Sequence, residues 1–135
     1  MPANYSASVR VTDTSGRVLS LRRSAHAGSR VGQFESPAGR VALGERPTDA
    51  ALREVQEETG ITVPAHRLFP LGVEDGPKGR HYLYSVRVLR GTQITLSREH
   101  DEYRWLSLRE RVEAPQEHNA AGHPAPRRDA TQPAL

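Results

Sequence analysis

Residues 53–58 read Arg-Glu-Val-Gln-Glu-Glu, so half of this short stretch is acidic. On a helix Glu54, Glu57 and Glu58 fall at i, i+3 and i+4, on one face. Like charges at those spacings repel, costing roughly 0.2–0.5 kcal/mol per pair. Two readings account for that cost. In the first the glutamates are a solvated face: Glu is a good helix former, and Arg53, four residues before Glu57, offsets part of the repulsion. In the second the carboxylates share a divalent cation. Mg²⁺ takes hard oxygen ligands in octahedral geometry, commonly one or two carboxylates with waters and substrate phosphates, and its charge cancels the repulsion.

The spacing around the acidic stretch separates the two. From Gly39, five residues lead to Glu45, and seven more to the pair Arg53-Glu54. Apolar Val55, Gln56, Glu57-Glu58, Thr59, Gly60 and apolar Ile61 follow. This run, residues 39–61, matches every defined position of the Nudix box, and the chain resembles the Nudix hydrolases. The resemblance is strongest over the box. It extends more loosely from Val9 to Leu108, through the stretches GRVLSLRRS, FESPAG and EHDEYRWLSL.

What the resemblance implies is specific. Nudix hydrolases cleave the diphosphate linkage of a nucleoside diphosphate joined to another group X. By position, Glu54, Glu57 and Glu58 look like the metal-binding carboxylates, joined by the backbone carbonyl of Ala38, with Mg²⁺ or Mn²⁺ as the ion. Glu45 and Arg53 look like the supporting pair, the guanidinium orienting the carboxylates. Gly39 and Gly60 look like backbone permissions at the turns into and out of the helix. The expected catalytic set is Glu54, Glu58, Arg53 and Glu102. The general base differs among relatives, and here Glu54, Glu99 and Glu102 are the candidates; for Glu99 and Glu102 a solvated loop is the competing explanation. The chemistry suits the parts: a metal ion neutralises charge on the bridging and leaving oxygens and activates water, and a carboxylate takes the water's proton.

Two features depart from the family pattern. Pro37-Ala38-Gly39 replaces the frequent Pro-Gly-Gly, which tilts the substrate towards ADP-ribose or a nucleotide sugar. A nucleoside triphosphate is the nearest rival, 5′-end trimming of RNA a more distant one. A non-catalytic nucleotide sensor is an alternative class, disfavoured because the box glutamates are kept. At the other end apolar content stops at Val112, so the second helix of the fold is expected to be short or missing. One face of the sheet then needs cover from a partner or a second copy.

The elements that must carry the box can be traced from periodicity. The stretches YSASVRVTD and GRVLSLRRS read as strands joined at Ser15-Gly16. Residues 25–32 read as a loop, and FESPAG holds a short strand. A helix is expected over 48–59, with Pro47 at its start, Asp49 favourable to the dipole, an apolar-leaning face of Ala51, Leu52, Val55 and Thr59, and Gly60 as its stop. RLFPLGVED, HYLYSVRVL, TQITL and YRWLSL read as strands, the charged SREHDE as a loop between the last two. Trp105 is expected in the core. The expected architecture is α/β, a mixed sheet between helices. Residues 1–112 form one Nudix domain, and the apolar-poor residues 113–135 a disordered tail.

Composition bounds the rest. The 135 residues carry 19 basic against 16 acidic side chains, a net +3 that suits a phosphate-bearing small molecule. Without cysteine there is no disulfide and no thiolate metal site. No apolar run reaches the length of a membrane span, and the N-terminal residues lack the apolar core of a secretory signal. A cytoplasmic enzyme is expected, with no membrane or nucleic-acid partner and a homodimer possible in principle. His26, His66, His81 and His100 form no ligand spacing and receive no role. Arg22 and Arg23 are expected to face solvent, and no substrate-binding residue is assigned.

Overall fold

Alternate residues of the first strand are apolar or small, and that alternation decides the layering. Ala7, Val9 and Val11 point to one face and are completely buried, while Ser6, Ser8 and Arg10 point to the other. The computed structural model describes residues 4–107 together with 109 and 110. Its strands are β1 (Asn4–Asp13), β2 (Val18–Arg23), β3 (Phe34–Glu35), β4 (Ala38–Arg40), β5 (Phe69–Gly76), β6 (Gly79–Val88) and β7 (His100–Leu106). The helix α1 spans Pro47–Thr59, and 3₁₀ turns cover Ala25–Ala27 and Ala65–Arg67.

The seven strands make one mixed sheet in the order β3-β2-β1-β6-β5, with β4 also on β1 and β7 also on β2. Only β1 and β6 are parallel, and they stay in register from Asn4 opposite Gly79 to Asp13 opposite Val88. The turn at Ser15-Gly16 forms as expected, with Gly16 at φ 87°. It is braced by Asp13, whose Oδ1 accepts from the Ser15 and Arg17 backbone N–H groups at 2.9 and 3.0 Å. The hairpin ends almost at once: Thr12 opposite Val18 is its one registered pair. Beyond it β2 takes β7 and β3 as partners, while β1 takes β4 and β6. Residues of both groups line a cleft of about 970 Å³.

Helix α1 starts and stops as its sequence dictates. Pro47 occupies the first turn, and Gly60 caps the end at φ 79°, in the left-handed region a side chain avoids. Its buried side carries Ala50, Ala51, Val55 and Thr59 against Ala7, Val9 and Val11, forming the main core. Leu52 and Trp105 pack at the margin, half-buried.

Several expectations are revised. Thr92–Leu96 is not a strand; Ile94 is buried and Thr95 N–H donates to the Thr59 carbonyl, so the segment covers the end of α1 instead. His100, Asp101 and Glu102 lie inside β7 rather than in a loop, because β2 offers cross-strand countercharges: Arg22 Nε is 2.8 Å from Asp101. β5 forms as expected but is exposed along its whole length, as the edge of the sheet. Among the described residues α1 is the one complete α-helix. Arg109 and Glu110 are helical, and Ser107 with Glu110 makes a reciprocal capping box, at 2.7 and 3.1 Å, that begins a helix there. The rest of the segment expected to hold the second helix, and the tail 113–135, lie outside the described residues.

Candidate active site

The site is assembled where β4 passes under the middle of α1. Successive turns of the helix direct Glu54 and Glu58 to its buried side, and both are nearly inaccessible despite their charge. Gly39 makes this possible. A Cβ there would meet Glu54 Oε2 at 2.1 Å and its Cδ at 2.2 Å, so the carboxylate occupies the space a side chain would fill. The expected reason for Gly39, a turn into the helix, is therefore corrected. It sits in strand β4, outside the positive-φ glycines, and is required by close approach. Gly60 does serve the turn out of the helix.

Electrostatics in this pocket are unfavourable to two free carboxylates. Burial pushes the Glu58 carboxyl up to about 9, and the charges of Glu54 and Glu35 add to it, against one opposing hydrogen bond from the Ala38 N–H at 3.1 Å. Glu54 is raised as well, first by burial and then by Glu57, with Glu58 and Arg53 pulling the other way. In the absence of a cation the pair holds a proton near neutral pH.

Arg53 ties the pair to the loop that precedes the helix. Its Nε and Nη2 grip Glu45 at 2.9 and 3.1 Å, Nη1 donates to Glu54 Oε2 at 2.7 Å, and Nη2 reaches the Arg40 carbonyl at 3.0 Å. Glu57 stands apart. It is more than half exposed, with its carboxylate 3.3 Å from Arg53 Nη1. The three box glutamates thus do not converge as a ready triad, and among the described residues no group of three or more His, Asp or Glu side chains does so. A hard divalent cation nevertheless fits the pair: two buried oxygen-donor side chains repel each other here, in a space kept clear by a glycine. Glu57 and the Ala38 carbonyl are the further oxygens at hand.

The two other candidate bases are placed differently. Glu99 is exposed and lines the cleft. Glu102 points its carboxylate at Arg104 Nε, 2.9 Å away, with Arg22 at 3.7 Å, and does not line the cleft.

Three functional-looking residues escaped the sequence reasoning. Glu35 lies in the cleft wall and accepts from His100 Nε2 at 2.8 Å and Arg23 Nη1 at 2.9 Å. Burial acts to raise the Glu35 carboxyl, but those two partners outweigh it and hold it below the usual range. Arg23 is therefore not the solvent-facing residue expected; it is largely buried and lines the cleft. His81, assigned no role, stands in the cleft between two serine hydroxyls. The available signal was FESPAG, a carboxylate four residues ahead of the box glycine. Nothing in the spacing of the histidines pointed to either of them.

Comparison with known proteins gives the family. The family description NUDIX domain matches residues 2–127, and the chain belongs to that family. An 8-oxo-dGTP diphosphatase of Escherichia coli is 30% identical over 98 residues, covering 73% of this chain and 75% of that protein. An octanoyltransferase of Myxococcus xanthus is 35% identical over 98 residues, and there the chain spans only 27% of the relative's length. Among solved structures, the MutT protein from Methanosarcina mazei Go1 superposes with a TM-score of 0.64 at 27% identity, covering 83% of this chain and 82% of that one.

Proposed function

We propose that this chain hydrolyses the diphosphate linkage of a nucleoside diphosphate joined to a group X, with Mg²⁺ or Mn²⁺ held by Glu54 and Glu58. The observation that carries the reading is the buried pair of Glu54, seated against Gly39, and Glu58 beside it, a costly arrangement that a cation relieves. When bound, the ion supplies neutralisation of phosphate charge and a more acidic water. Glu57 and the Ala38 carbonyl complete the donor set in this reading. Arg53 positions Glu54 while Glu45 anchors Arg53. The proton of the attacking water goes to Glu54 or to Glu99, which faces the same cleft; Glu102 is the less favoured base because its carboxylate is engaged by Arg104.

The adjoining cleft, at about 970 Å³, is of the size that takes a whole nucleotide. Two substrate classes have support. The bacterial diphosphatase relative favours a nucleoside triphosphate, and Pro37-Ala38-Gly39 favours ADP-ribose or a nucleotide sugar. We place the reaction in the cytoplasm, on small nucleotides rather than nucleic acid, by a monomer or a homodimer. The test is a panel of ADP-ribose, NADH, dinucleoside polyphosphates, nucleoside triphosphates and nucleotide sugars, each with Mg²⁺ and with excess EDTA. Metal-dependent release of a nucleoside monophosphate or phosphorylated X is the expected result. Hydrolysis undiminished in EDTA refutes the metal role, and no hydrolysis of any member leaves a sensing domain.

A further inference from the structure

Away from the carboxylate pair, the floor of the cleft holds a second cluster built by strand register. Ser6 on β1 lies opposite His81 on β6 and, on its other side, opposite Arg40 on β4. Directly opposed residues share a face of the sheet. Arg40, Ser6 and His81 therefore form one row across three strands, and all line the cleft. Ser8, two residues on, shares the face. The Ser6 hydroxyl is 2.6 Å from His81 Nδ1 and the Ser8 hydroxyl 2.8 Å from Nε2, so both ring nitrogens are engaged and the imidazole is fixed between them.

Counting protons shows what this trio offers a ligand. A neutral imidazole has one N–H and one lone pair. One serine oxygen accepts from the ring and keeps its own O–H, while the other donates to the ring and keeps its lone pairs. With a neutral ring the cleft floor thus presents one free O–H donor and lone pairs on both serine oxygens, on side chains about 7 Å apart along the strand. An ionised phosphate oxygen accepts only and can use the donor alone. A sugar hydroxyl or a nucleobase edge uses both. Charge is supplied next door: the guanidiniums of Arg40 and Arg10 line the same cleft, and neither has an acidic partner among the described residues.

We propose that Ser6, His81 and Ser8 form the specificity subsite for the uncharged, hydrogen-bonding part of a nucleotide, with Arg40 taking the adjoining phosphate. This rests on the nucleotide reading above and adds where the nucleoside portion sits. The experiment is equilibrium binding of AMP, ribose 5-phosphate and ADP-ribose in EDTA, which removes turnover, beside steady-state kinetics with Mg²⁺ on the best substrate. Ser6→Ala and Ser8→Ala should each weaken AMP and ADP-ribose binding about 5- to 10-fold, the worth of one hydrogen bond of about 1 kcal/mol. KM should rise by the same factor with kcat within twofold, and Ser6→Thr, which keeps the hydroxyl, should restore both. Equal losses for ribose 5-phosphate assign the contact to the sugar, and losses confined to AMP and ADP-ribose assign it to the base. Unchanged affinity with a lowered melting temperature in both alanine variants overturns the proposal, leaving the trio as a structural pin. Wild-type protein that binds nucleotide without hydrolysing it breaks the catalytic reading alone. Wild-type protein that binds none of the three overturns the subsite.

Discussion

Gly39→Ala tests the site through a single methyl group. The backbone of Gly39 lies outside the left-handed region, so alanine meets no conformational penalty there, and contact alone decides the outcome. The new Cβ would stand 2.1, 2.2 and 2.7 Å from Oε2, Cδ and Oε1 of Glu54, distances no packed pair of atoms sustains. Glu54 must leave, and it can, because the obstructed atoms are the far end of a flexible side chain. The cost in stability is then at the low end of the about 1–3 kcal/mol seen for overpacking. It is partly offset, because a carboxylate that burial disfavours moves away from Glu58. A loss near 1 kcal/mol corresponds to a fall of about 3–5 °C in melting temperature for a domain somewhat over 100 residues. Function should fare worse. A ligand displaced by an ångström or more no longer serves the cation, so Mg²⁺ binding by calorimetry and turnover should each fall by about 100-fold or more. The paired measurement is a thermal melt and a Mg²⁺ titration on the same sample. A variant that keeps wild-type Mg²⁺ affinity and turnover would refute the claim that Glu54 acts from its seat on β4.

Other perturbations follow from the same geometry. Glu58→Gln should stabilise the protein in EDTA: a carboxyl raised from 4.5 to about 9 loses folded-state stability as pH rises between those values, and glutamine does not titrate. Melts from pH 4 to 9 should slope downward for the wild type and flatten in the variant, while turnover is lost. Glu57→Gln, at an exposed site, should leave the EDTA melt within about 0.5 kcal/mol of wild type, and any loss should appear in Mg²⁺ affinity. Arg53→Ala should cost stability, about 1–3 kcal/mol by chemical denaturation, as well as activity, because Glu45, Glu54 and the Arg40 carbonyl lose one shared donor. Asp13 makes the opposite pH argument. Burial would raise its carboxyl, but Ser15 and Arg17 together hold it below its ordinary 3.8. Its contribution is present above that value and lost as pH falls through the lower folded value, so Asp13→Asn should melt lower at pH 7 and show a shallower acid transition below pH 4.

How much of this was legible in the sequence depended on whether a residue's task is local. The helix was legible because Pro47, Asp49 and Gly60 act on their own turns, and the observed span differs from the expected one by a single residue. Arg53 and Glu45, eight residues apart, were legible because the box fixes their spacing. Glu35 and His100 are separated by 65 positions, and they meet only because β2 pairs with β3 on one side and β7 on the other. His81 and Ser6, 75 positions apart, meet through the parallel β1–β6 register. No period in the chain announces either contact. The same cause explains the misread second half of SREHDE: residues 97–99 do form a loop, but His100, Asp101 and Glu102 join β7 because their countercharges sit on another strand.

The arrangement around Glu35 bears on which carboxylate can accept a proton during hydrolysis. A general base must be able to take the proton near working pH and must present a free lone pair to the water. Glu35 lines the cleft, yet His100 and Arg23 both donate to its Oε2, Arg30 lies 3.6 Å from Oε1, and the carboxyl is held below its usual range. It is a poor base for the same reason that it is a good anchor. His100 supports that role: its Nε2 is spent on Glu35, and its buried Nδ1 has no hydrogen-bond partner among the described residues. Glu35 therefore fixes the cleft wall and lends its negative charge to the carboxylate pocket, raising Glu58. On the proposed reading, that charge favours a cation at Glu54 and Glu58. Glu35→Gln should accordingly weaken Mg²⁺ binding about 3- to 10-fold, the effect of a lost charge near the site, while the pH of half-maximal kcat stays where it was. A shifted kcat profile with unchanged Mg²⁺ affinity would instead make Glu35 the base.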